Sequence, residues 1–182
     1  MFQKLFKHAT LFHLILIAVI AALGIAVRPI VVPLAQLITG PIPGGAAAGA
    51  IYMLFLVLAA ALTKVRGAGL LCGLVQALLV MTLGIAGSHG VMSLVTFTLP
   101  GIAVDLVFFI AVRKHKPAGL LACFFAGMLA NIAGTVSVNF VFFSLPWVPL
   151  LLSLSLAAFS GGVGGVAAFA ITKQLQKRSV TE

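Results

Sequence analysis

Six long apolar runs, separated by short links, are the feature that most constrains how this chain can fold. They lie near residues 11–27, 46–62, 68–84, 92–112, 118–142 and 149–172. A helix that crosses a bilayer needs about 20 largely apolar residues, and only 7% of the residues in this chain are charged. The runs therefore predict an all-α integral membrane protein, a bundle of six transmembrane helices that forms a single domain over residues 1–182.

Basic residues are distributed unevenly between the predicted links. In a six-span arrangement Arg28 falls on one side of the membrane, and the other ten of the eleven cations fall on the opposite side: Lys4, Lys7, Lys64, Arg66, Arg113, Lys114, Lys116, Lys173, Lys177 and Arg178. Because cytoplasmic loops carry the excess of lysine and arginine, both termini are predicted to be cytoplasmic. The net charge of +9 then favours membrane lipid over nucleic acid as a partner. The first lysines and the run after them also have the form of a signal peptide, but the run is long for a cleaved segment, so we expect it to be retained.

The link between the first two spans is rich in proline. Residues 28–45 contain Pro29, Pro33, Pro41 and Pro43, and each proline fixes its φ angle and lacks a backbone N–H. This stretch predicts an ordered outer loop that lies on or dips into the bilayer, in which residues 34–38 could form one helical turn.

Small residues recur at helical spacing in three spans. The sets are Ala18, Ala22 and Ala26 in the first span, Gly45 and Gly49 in the second, and Ser160, Gly164 and Ala168 in the sixth. Such faces allow helices to approach closely. Packing within the bundle and docking of a separate membrane subunit both remain open as explanations.

Asp105 is the one acidic residue within a predicted span, since the other acid of the chain is the C-terminal Glu182. A charge in the bilayer is costly, so an intramembrane acid normally faces a cavity or a partner. Two interpretations follow: a ligand-binding or proton-accepting group, or a polar anchor that bonds neighbouring helices.

The fifth span carries a polar stripe, with Asn131, Thr135 and Asn139 at successive steps of four residues. Interhelical hydrogen bonding could explain the stripe, but amides and hydroxyls also suit the recognition of a small polar molecule. We expect such a site to draw on the stripe, with Asp105 as its floor, and to include the following further candidates: Gln36, Tyr52, Gln76, Ser88 and His89.

The sequence lacks the motifs of several classes of enzyme and nucleotide-binding protein. No GxxxxGK[ST] phosphate loop, HExxH motif or acidic pair is present. Cys72 and Cys123 lie within apolar runs without metal-ligand spacing, so neither a disulfide nor a metal site is predicted. We therefore predict that the chain is not an enzyme and that it binds no cofactor. An intramembrane enzyme would require Ser88, His89 and Asp105 to converge.

The sequence resembles the substrate-binding S components of energy-coupling factor (ECF) transporters, the vitamin-uptake ABC systems of prokaryotes. The resemblance rests on the six-span plan, on the alanine motif of the first span, and on a longer pattern that is similar to the YkoE-type group, which is associated with thiamine or its hydroxymethylpyrimidine precursor. That pattern runs from Gly40-Pro41-Ile42 through Tyr52, Lys64–Gly67 and Gly84 to Gly101-Ile-Ala-Val-Asp105-Leu-Val-Phe108.

The resemblance implies a subunit of the prokaryotic cell membrane that binds a vitamin-like molecule from outside. It also implies that the alanine face docks a transmembrane coupling subunit, which two ATPases drive, and that Asp105 matches a family glutamate. The thiamine group carries further acids in its second and third spans, where this chain has residues 44–49 and Gln76. A cationic ligand would therefore meet fewer negative charges in this chain than in the thiamine group. The competing hypothesis is a self-sufficient carrier or channel in which Asp105 cycles a proton.

Overall fold

The computed structural model describes residues 10–39, 44–84, 90–111 and 118–178, and within these ranges all regular structure is helical. The prediction of an all-α protein is confirmed. The elements are α1 (Leu11–Ala26), α2 (Arg28–Thr39), α3 (Gly44–Thr63), α4 (Ala68–Leu83), a 3-10 turn (Gly90–Met92), α5 (Ser93–Ala111), α6 (Leu120–Val138), a π-helical turn (Asn139–Phe143) and α7 (Trp147–Arg178).

Five of the predicted spans correspond to α1, α3, α5, α6 and α7, and α4 occupies the remaining run. Four of the described helices are long and apolar enough to cross a bilayer, at Ala46–Thr63, Gly90–Ala111, Leu120–Phe142 and Trp147–Lys177. The bent pair α1 and α2 raises the number to five if it is one broken span. The 16 residues of α4 reach about 24 Å, against a hydrocarbon core of about 30 Å. The described helices thus provide four or five spans, and a count of six stays a prediction.

The proline-rich segment after α1 is a helix, so the prediction of a loop there is wrong. Pro29 lies in the first turn of α2, where a backbone N–H has no partner within the helix. Pro33 lies inside the helix and removes one hydrogen bond, at a cost of about 3 kcal/mol. Val31, Val32 and Ala35 pack against the core, and this burial offsets the cost. Pro41 and Pro43 lie outside the described residues.

Helix α3 is at the centre of the bundle. It packs against α1, α2, α4, α5, α6 and α7, and two thirds of its spanning segment is buried. Small residues make this possible: a Cβ atom added at Gly164 of α7 would collide with the backbone carbonyl oxygen of Ala50. The bulkier side chains of α3, such as Leu56 and Val57, fill the core between its neighbours.

The small-residue face of α7 packs inside the bundle. Ser160, Gly164 and Ala168 are all buried. A Cβ atom at Gly127 of α6 would collide with the carbonyl oxygen of Gly161, so α6 and α7 touch through their backbones. For this face the packing explanation is correct.

Candidate functional site

The amide of Asn131 joins three helices. Its Nδ2 donates to the carbonyl oxygens of Ala46 in α3 at 3.1 Å and Ala157 in α7 at 2.9 Å, and to Ser160 Oγ at 2.9 Å. The side chain is only 3% exposed, and Gly49 leaves the space it occupies, since a Cβ atom there would overlap the amide. These contacts favour interhelical hydrogen bonding as the role of Asn131.

The other members of the predicted stripe have different surroundings. Asn139 Oδ1 accepts a hydrogen bond from the backbone N–H of Leu145 at 2.9 Å, across the turn that ends the π-helical segment. Thr135 is half-buried. The amides of Asn131 and Asn139 therefore both stabilise the backbone, which weakens the interpretation of the stripe as a continuous ligand surface.

Asp105 caps a neighbouring helix. Its Oδ1 accepts from the N–H of Gly69 at 3.0 Å, and its Oδ2 accepts from the N–H of Leu70 at 2.8 Å. These N–H groups belong to the first turn of α4, whose N-cap residue Gly67 has no side chain and a φ of 89°. A carboxylate is well placed at the positive end of a helix dipole. The contacts favour the interpretation of Asp105 as a polar anchor.

Arg28 is the cation that the predicted topology places alone on the outer side, and it forms a cluster that sequence reasoning did not select. Its guanidinium carbon lies 4.4 Å from the ring centroid of Tyr52 and 4.4 Å from that of Phe97. The guanidinium also interacts with the Tyr52 hydroxyl, and within the described residues the buried Arg28 Nη1 and the buried Tyr52 hydroxyl have no other hydrogen-bond partner. The isolation of Arg28 among the cations was the one sequence signal for this cluster.

Gln76 lies on α4 and contacts α1, the helix that precedes Arg28. Its side chain is 4% exposed and packs against Gly24, where an added Cβ atom would lie 2.7 Å from Nε2. Gly24 precedes Arg28 by four residues, about one helical turn. Of the predicted ligand-binding residues, Tyr52 thus contacts Arg28, and Gln76 contacts Gly24, near the end of α1 that precedes Arg28.

The remaining predicted residues are not gathered in this region. Gln36 is exposed on α2, and Ser88 and His89 lie outside the described residues. Ala18, Ala22 and Ala26 are exposed along α1, whereas Ile17, Ala21 and Gly24 on its other face are buried. Packing within the bundle therefore does not explain the alanine face.

The part of the chain that the structure describes contains no group of three or more His, Cys, Asp and Glu residues placed to hold a metal ion. Cys72 and Cys123 are buried and free.

Residues 12–133, about two thirds of the 182 residues, match the family described as "ABC-type cobalt transport system, permease component". The chain belongs to this family. A solved structure described as "Crystal structure of an S-component of ECF transporter" is similar to the chain with a TM-score of 0.77 and 22% sequence identity, over 94% of this chain and 87% of that one. No curated protein matches the sequence significantly.

The family and the fold are those of a transporter component, which confirms the prediction that the chain is not an enzyme. The fold is that of an ECF S component. The finer assignment to the YkoE-type group stays a prediction.

Proposed function

We propose that this chain is the substrate-binding S component of an ECF-type importer in a prokaryotic cell membrane. It captures a vitamin-like, water-soluble molecule from outside and delivers it inward together with a transmembrane coupling subunit and two ATPase subunits. The observation that carries the proposal is the similarity of fold to an S component along 94% of the chain.

The exposed alanine face of α1 supports a docking role. Ala18, Ala22 and Ala26 leave a line of small side chains on the outside of the bundle, and such a line allows the backbone of another helix to approach closely. The coupling subunit is the partner proposed for this face.

The contacts of Asp105 weigh against the alternative of a self-sufficient proton-coupled carrier. A carrier of that kind needs an acid that takes up and releases a proton during the cycle. Both carboxylate oxygens of Asp105 accept backbone hydrogen bonds from α4, and protonation would weaken the contact that holds the start of that helix.

The ligand region that we propose lies between α1, α3, α4 and α5, in the outer half of the predicted topology. Tyr52 and Gln76 supply polar groups there. Thr135, Gln36, Ser88 and His89 stay candidates for the rim of the site, while the packing contacts of Asn131 and Asn139 favour roles for them in holding the helices.

Affinity purification from native membranes tests the proposed function. A tagged chain is expected to recover a transmembrane coupling subunit and two ATPase subunits, identified by mass spectrometry, and ligand uptake into proteoliposomes is expected to require the whole assembly and ATP. Transport by the purified chain alone without ATP, and without ATPases among the recovered proteins, would contradict the proposal and favour the carrier.

A further inference from the structure

The cluster of Arg28, Tyr52 and Phe97 contains a cation without a counter-charge. The Arg28 Nη1 is buried and has no hydrogen-bond partner within the described residues. The rings of Tyr52 and Phe97 stabilise the charge of the guanidinium, but they accept none of its in-plane hydrogen bonds. A buried charged donor that remains unsatisfied is costly, so the cluster can bind an acceptor that the described residues do not supply.

The acids of this chain do not supply that acceptor. There are two of them, Asp105 and the C-terminal Glu182, of which the structure describes Asp105. Phe97 and Asp105 lie eight residues apart on α5, about 12 Å along the helix. The carboxylate oxygens of Asp105 are bonded to the backbone N–H groups of Gly69 and Leu70. The described part of the chain thus has no carboxylate available to Arg28.

The planar guanidinium of Arg28 offers a bound acceptor a fixed set of N–H donors. Tyr52 and Phe97 each have their ring centroid 4.4 Å from the guanidinium carbon, and the N–H donors of the guanidinium point outward along its planar edge. That edge matches the paired oxygens of a carboxylate or a phosphate. The hydroxyl of Tyr52 interacts with Arg28 and has no other partner within the described residues, so its O–H is a further donor beside the guanidinium.

We propose that Arg28 binds the anionic group, a carboxylate or a phosphate, of the water-soluble molecule that this protein captures, and that Tyr52 donates a second hydrogen bond to it. Gln76, buried about one helical turn away against Gly24, contacts a neutral polar part of the same molecule. This inference rests on the proposed function and narrows the substrate class to small organic anions.

The proposed class differs from the metal cation that the family description names and from a cationic vitamin such as thiamine. A cation at the cluster would be repelled by Arg28 and would find no carboxylate among the described neighbours. An anion at the same place accepts hydrogen bonds from Arg28 Nη1 and the Tyr52 hydroxyl, for which the described residues offer no other acceptor.

The test uses a bacterial metabolite extract divided on an anion-exchange resin into a retained, anionic fraction and an unretained fraction. Immobilised full-length protein is equilibrated with each fraction and washed, and the bound small molecules are identified by mass spectrometry. We expect a bound molecule from the anionic fraction, with a carboxylate or phosphate in its structure. A ligand found in the unretained fraction alone would overturn the anion site but leave the proposed function intact, and no ligand from either fraction would contradict both.

Matched variants assign the bound anion to Arg28. Isothermal titration with the identified molecule is expected to show a roughly 10- to 100-fold loss of affinity for Arg28→Gln, as expected when a charged hydrogen-bonding group is removed, and a smaller loss for Tyr52→Phe. Arg66→Gln is the control. The guanidinium carbon of Arg66 also lies over an aromatic ring, 5.1 Å from the ring centroid of Phe109, but Arg66 belongs to the link before α4 and not to the proposed site. If Arg28→Gln does not fold, Arg28→Lys retains the charge and loses the planar, paired donors, so its affinity should also fall. Wild-type affinity in a folded Arg28 variant would overturn the proposal.

An anionic lipid headgroup offers the same phosphate chemistry. Native mass spectrometry of the wild type and Arg28→Gln in nanodiscs of phosphatidylglycerol and of phosphatidylcholine separates the two sources. We expect the same number of bound lipids for both proteins. A phosphatidylglycerol molecule that is lost specifically with Arg28 would assign the cluster to lipid and overturn the ligand proposal.

Discussion

At the scale of residues, two charged side chains contact α5 or belong to it. Asp105 lies at one end of the interface between α4 and α5, and Arg28 contacts Phe97 further along α5. Gly69 meets Gly101, and Gly73 meets the backbone of Phe97, so the two helices run antiparallel in close contact. Asp105 bonds to the first turn of α4, whereas Arg28 has a buried donor, Nη1, without a hydrogen-bond partner among the described residues. The contacts of these two charged residues therefore favour different roles, a structural one for Asp105 and the proposed binding of ligand for Arg28.

Substitution of Asp105 tests its structural role. Asp105→Asn keeps the shape but replaces one acceptor oxygen by an N–H donor, so one backbone N–H of α4 loses its partner. We expect the free energy of unfolding to fall by about 1–2 kcal/mol, the usual cost of losing a helix cap, while affinity for the ligand changes less than twofold.

Thermal unfolding in detergent and isothermal titration measure the two effects. Thr82→Val is the control, because the exposed Thr82 hydroxyl bonds only to carbonyl oxygens of its own helix. Unchanged stability together with lost binding would assign Asp105 to the ligand site instead.

At the scale of elements, α1 presents two faces with different environments. Ile17, Ala21 and Ile25 are almost completely buried against the bundle, with exposed fractions of 1%, 0% and 2%. Ala22 and Ala26 are exposed. Sequence spacing alone left both packing and docking open for the alanines, and the exposure favours an external partner or lipid.

Bulky substitutions on the alanine face test docking. Ala22→Leu or Ala26→Leu should leave folding and ligand binding intact, because both positions point out of the bundle, but should abolish recovery of the coupling subunit and ATP-dependent uptake. Pull-down followed by mass spectrometry gives the result.

Val19→Leu is the matched control, since Val19 is half exposed on the same helix and outside the alanine line. Ala21→Leu should unfold the protein, because Ala21 is fully buried. Normal recovery of the coupling subunit with Ala22→Leu would assign the alanine face to lipid.

At the scale of the whole molecule, the open question is how many times the chain crosses the membrane. Four described helices are long enough, the bent pair α1 and α2 is a fifth if it forms one broken span, and α4 is short. The distribution of cations favours a crossing at α4, because Lys64 and Arg66 precede it and no cation follows it until after α5. A tilt of neighbouring helices or local thinning of the bilayer accommodates a short span.

Cysteine accessibility determines the topology. We expect Lys64→Cys and Lys173→Cys to react with a membrane-impermeant maleimide from the cytoplasmic side, and Gln36→Cys and His89→Cys from the outside. The native thiols of Cys72 and Cys123 are buried and should give a low background. Labelling of the Lys64 and His89 positions from the same side would mean that α4 does not cross, and the six-span arrangement would be wrong.

The sequence alone determined the helical class and most helix positions, because a long apolar run is a local property that a bilayer converts into a helix. It also singled out Asp105, Tyr52 and Gln76, since polar groups in apolar runs are visible without any structure. At α2 the prediction from sequence was wrong, because the prolines locally favour a loop. Packing of Val31 and Val32 against the core instead stabilises a helix that continues across Pro33.

The roles of the polar residues were decided by tertiary structure, since they depend on partners far away in sequence. Asn131 meets Ala46, 85 residues earlier, and Asp105 meets the start of a helix 35 residues earlier. The contacts of Arg28 with Tyr52 and Phe97 are visible only in the fold, because these residues lie far from it in sequence. Hydrophobic periodicity specifies which side of a helix is apolar, but which backbone groups and charges meet across helices follows from the packing of the whole bundle.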